Sequence, residues 1–224
     1  MMDALMMLLE GATQHSLLFS SLVFMWGSKK TSDEARVIYR TFAVVLFMLF
    51  ITRVLTTITL EFSWLIGFLD QRTFLRLYGS IEIWALAYAF LTLERKIVVY
   101  TRGMLTFCTI IVGVVYGFVV DIGIGDIWAN LVVAYLIGIN LVIPMQYFYL
   151  ALKFPGFIRR DSVKMGIGML LVAFGVLFQY RNVFLYSPQL LYSLVASGTM
   201  YLVWFFSIVG NMLIIYAVVL KVEQ

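Results

Sequence analysis

Four residues of this chain carry side chains able to hold a proton or pair with a charge inside otherwise apolar sequence: Glu10, His15, Arg53 and Glu82. Glu82 stands in YGSIEIWALAYAFLTLERK, residues 78–96. A carboxylate deep in an apolar span costs on the order of 2.5–3.5 kcal/mol on insertion scales, so it must pair, take up a proton or line water. Residues three and four apart share a helix face. The face of Glu82 carries Tyr78, Gly79, Ala85, Leu86 and Ala89, and the opposite face Leu77, Trp84, Tyr88 and Leu91. Small residues let helices approach closely and bulky ones suit lipid, so Glu82 is expected to point inward. Arg53, with Thr56 and Thr57 on its face, is the partner that depth suggests. Glu10, Gln14 and His15 add polar groups at the same level of the first apolar run, Gln14 one turn from Glu10. The expectation is a buried polar cluster of Glu10, His15, Arg53 and Glu82, serving as a packing device or as a ligand or proton site.

Other chemistry is argued against by count and placement. One His and one Cys cannot supply the three or four N/S ligands of an ordinary zinc site. A bis-histidine haem fails for the same reason. A Ser–His protease would have to use His15, with no Gly-rich nucleophile motif placed to meet it. DIGIGD (121–126) lacks the lysine and helix start of a phosphate loop. A retinal Schiff base would need a lysine within the last apolar run, which has none before Lys221. No cofactor, no metal and no enzymatic activity are expected. The lone Cys108 excludes an internal disulfide.

The elements that position the four residues follow from composition. Of 224 residues, 63% are hydrophobic and 12% charged, with a mean hydropathy of +0.99. Soluble domains carry about a quarter charged residues, so lipid is the expected solvent for most of this surface. The net charge of +4 sits in short basic connections and gives no sign of nucleic-acid binding. A bilayer core about 30 Å thick needs roughly 20 helical residues. Seven runs answer to that, at 4–26, 38–60, 74–93, 98–120, 127–151, 165–180 and 189–219. The fold class expected is therefore all-α, a single seven-helix transmembrane bundle over residues 1–224.

Lys29, Lys30, Arg36, Arg95, Lys96, Arg102, Lys153, Arg159, Arg160, Lys164 and Lys221 fall on one side of that arrangement. Arg72, Arg76 and Arg181 fall on the other. The richer side is assigned to the cytoplasm, which puts the N-terminus outside and the C-terminus inside. Trp26, Trp64 and Trp128 sit where indoles anchor helices. The N-terminal stretch lacks the basic n-region of a cleaved leader and reads as a retained span. Pro144 should bend the fifth helix by removing a backbone donor, with Asn140 one turn before it to satisfy freed groups. KFPGFIRR (153–160) reads as a stop and a turn through Pro155-Gly156. Asn211 gives the last helix a polar point.

FLTLERKIVVYTRG and YFYLALKFPGFIRRDSVKMGIGMLLVAFGVLF are similar to stretches of uncharacterised archaeal seven-helix membrane proteins. They also resemble the seven-helix N-terminal sensor regions of some histidine kinases. The resemblance implies a sensor- or receptor-like bundle in the cell membrane, its output supplied by a separate cytoplasmic or membrane partner. Helix number and orientation also resemble small seven-helix carriers of sugars and amino acids. Here Pro188-Gln189 occurs once, and the two halves show no internal repeat. A small-solute or ion carrier and a scaffold subunit of a membrane complex are the alternatives.

Overall fold

Runs of apolar residues without interior glycine–proline breaks form long helices. The computed structural model describes residues 4–61, 71–96, 101–119, 127–153, 155–177, 193–194 and 198–222. Its helices are α1 (Ala4–Ser28), α2 (Asp33–Glu61), α3 (Gln71–Lys96), α4 (Met104–Val114), α5 (Ile127–Lys153), α6 (Phe157–Leu177) and α7 (Thr199–Val222). A π-helical turn, Val115–Val119, extends α4. The fold is all-α among the described residues. Four helices are long and apolar enough to cross a membrane, over Arg36–Thr59, Thr73–Arg95, Ala134–Lys153 and Thr199–Val219. Met104–Phe118 is a shorter apolar helix.

Several helix ends differ from the sequence expectation. α4 starts at Met104 rather than 98, because Arg102 (φ 47°) and Gly103 (φ 87°) occupy the left-handed region and break the helix ahead of it. Arg102 therefore lies in the turn rather than in the helix. α6 starts at Phe157 rather than 165: its polar first two turns are helical although they are not apolar. α7 starts at Thr199, after Gly198 at φ 72°, rather than at 189. The turn expected at Pro155-Gly156 is present, with Gly156 at φ 79° between α5 and α6. α5 runs unbroken from Ile127 to Lys153 through Pro144. The expectations for Trp64, for 121–126, for Arg181 and for Pro188-Gln189 fall outside the described residues.

The chain divides into two compact units. The first holds α1 from Leu17 onward, α2, α3 and α4. In it Phe24 of α1 packs against Tyr39 and Phe42 of α2, ring centroids 5.5 and 5.6 Å apart. Ser21 Oγ donates to the Ala43 carbonyl at 2.8 Å. Arg36, paired with Asp33 at 2.8 Å, donates from Nε to the Ser28 carbonyl at 3.2 Å and so covers the open end of α1. α3 and α4 approach through small residues. A Cβ at Gly113 would strike Trp84, one at Gly117 would strike Ser80, and one at Gly79 would strike Tyr116.

The second unit holds the start of α1 with α5, α6 and α7. α6 and α7 touch backbone to backbone. A Cβ at Gly168 would lie 2.9 Å from the Gly210 carbonyl, and one at Gly210 would lie 2.8 Å from the Gly168 carbonyl. Asn211, fully buried, donates to Ser16 Oγ at 2.9 Å and ties α7 to the first half of α1. The polar point foreseen in the last helix is thus an interhelical tie.

Candidate functional site

The site grows from the antiparallel pair α2–α3. Hydroxyl residues recur on α2 at positions 41, 52 and 59, steps of eleven and seven that return to one helix face after about three and two turns. Each meets a polar group of α3. Thr41 and Thr92 hydroxyls lie 3.0 Å apart, Thr52 Oγ1 donates to Glu82 Oε1 at 2.6 Å, and Thr59 Oγ1 donates to Tyr78 Oη at 3.3 Å. These contacts hold α2 and α3 in one register from end to end.

Glu82 is the middle rung. It is 4% exposed, close to the middle of the apolar stretch Thr73–Arg95. Its face is the interior one: Gly79, Ala85, Leu86 and Ala89 are buried, whereas Trp84 and Tyr88 on the other side are exposed. The Thr52 hydroxyl, itself fully buried, also lies 3.0 and 3.1 Å from the Met48 and Leu49 carbonyls of its own helix. It has one proton to give, and a carboxylate acceptor makes the shorter and stronger bond. Arg53, the next residue of α2, is 2% exposed, and Thr57 Oγ1 donates to its carbonyl at 3.1 Å. Thr56 donates to the Thr52 carbonyl at 2.8 Å and is buried as well.

The other two members of the expected cluster are described within their own unit. Glu10 and His15 belong to the α1 segment of the second unit, Arg53 and Glu82 to the first. Glu10 is half-buried and accepts from Gln14 Nε2, one turn on, at 3.4 Å. His15 is exposed, in contrast to the expected burial. Its Nδ1 lies 2.7 Å from the Gly11 carbonyl of its own helix. The reason is angular: Thr13, Ser16, Leu17, Ser20 and Phe24 form the buried face of α1, and His15 falls with exposed Phe19, Leu22 and Trp26 at spacings of four, seven and eleven. In α5, Asn140 Nδ2 donates to the Leu136 carbonyl at 2.8 Å, one turn before the carbonyl that Pro144 deprives of a donor.

A second carboxylate escaped the sequence reading. Glu94, 5% exposed near the end of α3, reaches the start of α4. It accepts from the Leu105 amide at 2.9 Å, from the Thr106 amide at 3.2 Å and from the Thr106 hydroxyl. The first amides of a helix have no partner within it and attract negative charge. Gly103, which precedes α4, has no side chain to serve as a cap, and Glu94 supplies that function from another helix. Its setting in ERK drew the reading to its basic neighbours. The available signal was the Arg102-Gly103 break followed by Thr106.

Among the described residues no group of three or more His, Cys, Asp or Glu converges as metal ligands do. The arrangement offers a buried acid held by a hydroxyl, in a rigid interhelical register that ends on a capped turn. Comparison with protein-family models, with curated proteins and with solved structures gives no match to this chain.

Proposed function

We propose that the chain is a non-enzymatic, multi-pass protein of the cell membrane, a sensor- or receptor-like bundle that acts through a separate partner. Seven crossings with the N-terminus outside and the C-terminus cytoplasmic complete the reading, which extends the four long apolar helices to the remaining three. The observation that carries it is Glu82, buried at mid-span on the Thr52 hydroxyl. An ionisable group at that depth marks a functional position more often than a decorative one.

The Thr52 hydroxyl stands between two acceptors, Glu82 Oε1 at 2.6 Å and the Met48 carbonyl at 3.0 Å, and can give its one proton to only one of them at a time. The same pair of helices carries the Thr41–Thr92 contact and, at Glu94, the bond to the start of α4, so this rung is in line with both. Those ends carry the basic connections assigned to the cytoplasm, where a partner would dock.

Copurification from native membranes, with mass spectrometry of the bound proteins, tests the reading. A stoichiometric partner whose retention changes in Glu82→Gln supports it. Solute uptake by the purified chain in proteoliposomes, abolished by the same substitution, would replace it with a carrier. A chain that is stable only within a larger complex and indifferent to Glu82→Gln would replace it with a scaffold subunit.

A further inference from the structure

The turn between α5 and α6 gathers charge that the site above does not use. Residues 153–164 hold Lys153, Arg159, Arg160 and Lys164 against one acid, Asp161. Arg159 and Arg160 are exposed, the Arg160 side chain at 62%. Asp161 is mostly buried and only 3.9 Å from Arg160 Nε, too far for a strong pair. Arg160 and Lys164 are four apart and share a face of α6. The two lysines are each set over a tyrosine ring: Lys164 Nζ lies 4.4 Å from the centroid of Tyr216 on α7, and Lys153 Nζ lies 5.9 Å from that of Tyr149 on α5.

Beneath those tyrosines the surface turns apolar. Leu141, Met145, Tyr149 and Leu152 recur on α5 at helical spacing and are all exposed, Leu152 at 84%. Met212 and Tyr216 do the same on α7. A row of fixed positive charge therefore stands at the head of two exposed apolar stripes, with aromatic rings at the boundary. A ligand that satisfies both parts has an anionic head and long apolar chains. Inorganic phosphate would use only the head, and a zwitterionic lipid would bring its own ammonium against four bases.

The geometry points to a binding site for the phosphate headgroup of an anionic phospholipid at the α5–α6 turn, contacted by Arg159, Arg160 and Lys164, with the acyl chains along the α5 and α7 stripes. The site rests on the membrane reading above. It differs from the general attraction of basic loops to an anionic leaflet in being localised and saturable.

The test uses the full chain, first checked for retention in membranes after alkaline carbonate washing; release by that wash sinks the membrane reading and the lipid site with it. Native mass spectrometry then counts phosphatidylglycerol or phosphatidylcholine retained from mixed micelles. The expected result is one phosphatidylglycerol bound in preference to phosphatidylcholine. R159Q/R160Q, two exposed positions that leave the packing untouched, should weaken it roughly thirtyfold, from about one kcal/mol per base. K29Q/K30Q removes the same charge at the α1–α2 turn, which supplies none of the residues of the proposed site, and should leave it within about twofold. Equal weakening by both pairs would show diffuse attraction and overturn the site. So would equal retention of the two lipids. Displacement of the lipid by millimolar inorganic phosphate alone would assign the basic turn to a free anion and overturn the lipid assignment.

Discussion

Gly168 and Gly210 face each other so closely that each carbonyl stands where the other's Cβ would go, at 2.9 and 2.8 Å. The contact sets the separation of α6 and α7. Ser207, whose Cβ lies 2.6 Å from a Cβ built on Gly175, continues it one to two turns away. Interfaces of this kind depend on small residues because packing, rather than the expulsion of water, holds apolar helices together in lipid.

Alanine at Gly168 should therefore lower the apparent melting temperature in mild detergent, with a cost of about 1–3 kcal/mol from overpacking. Gly138 is the control. A Cβ there meets nothing within 4 Å, so Gly138→Ala should hold or raise stability through helix propensity. Equal behaviour of the two variants would show that α6 and α7 are not in backbone contact.

The middle rung of the α2–α3 ladder gives a sharper expectation. Thr52→Val keeps the shape and removes the hydroxyl that meets Glu82, leaving a buried carboxylate short of a donor. The cost should be about 1–3 kcal/mol. Thr52→Ser should recover most of it. Thr52→Val combined with Glu82→Gln should cost less than the two singles added, since the partners act together. Additive melting shifts would deny the contact.

Glu94→Ala should fray the start of α4 by removing an acceptor for two amides and a hydroxyl. A loss of about 0.5–2 kcal/mol is the usual range for a helix cap. Glu94→Gln should keep part of it, because one amide oxygen still accepts. Amide hydrogen exchange at Leu105 and Thr106 reads this locally, and unchanged protection in the alanine variant would count against the cap.

Asn211→Leu should weaken the tie between α7 and α1 by about 0.6–2 kcal/mol, the range for interhelical hydrogen bonds between apolar helices. Ser16→Ala should do the same, and the double variant should add little. His15→Ala, by contrast, should be close to neutral, since its ring is exposed and bonds to the Gly11 carbonyl of its own helix.

The inward face of α3 was legible because size and polarity alternate there with helical period: Gly79, Glu82, Ala85 and Ala89 against Trp84 and Tyr88. Depth arguments also placed Arg53 among the buried residues. They failed for His15, where depth alone was used and the angle around α1 was not. The ends of α6 and α2 were misjudged inward because FIRRDSVK and DEARV are polar, and a helix continues wherever its backbone bonds are satisfied, apolar or not. Glu94 was illegible for a different reason. A cap delivered from another helix has no local spacing, so only the glycine break at Gly103 hinted that α4 needed one. Thr52 carries a signal in the eleven- and seven-residue steps of Thr41, Thr52 and Thr59, but threonine bonds so readily to its own helix that such spacing does not by itself mark an interhelical contact.

Trp84, half-exposed on the outer side of α3, lies against Gly113 of α4, with Nε1 3.4 Å from the Ile110 carbonyl. The indole thus fills the room that a glycine leaves, and its emission depends on how near the neighbouring backbone stays. With the other four tryptophans replaced by phenylalanine, this one ring becomes an optical gauge of the gap between α3 and α4. Fluorescence colour and quenching would then report any parting of those helices in an unlabelled protein, in whatever lipid surrounds it.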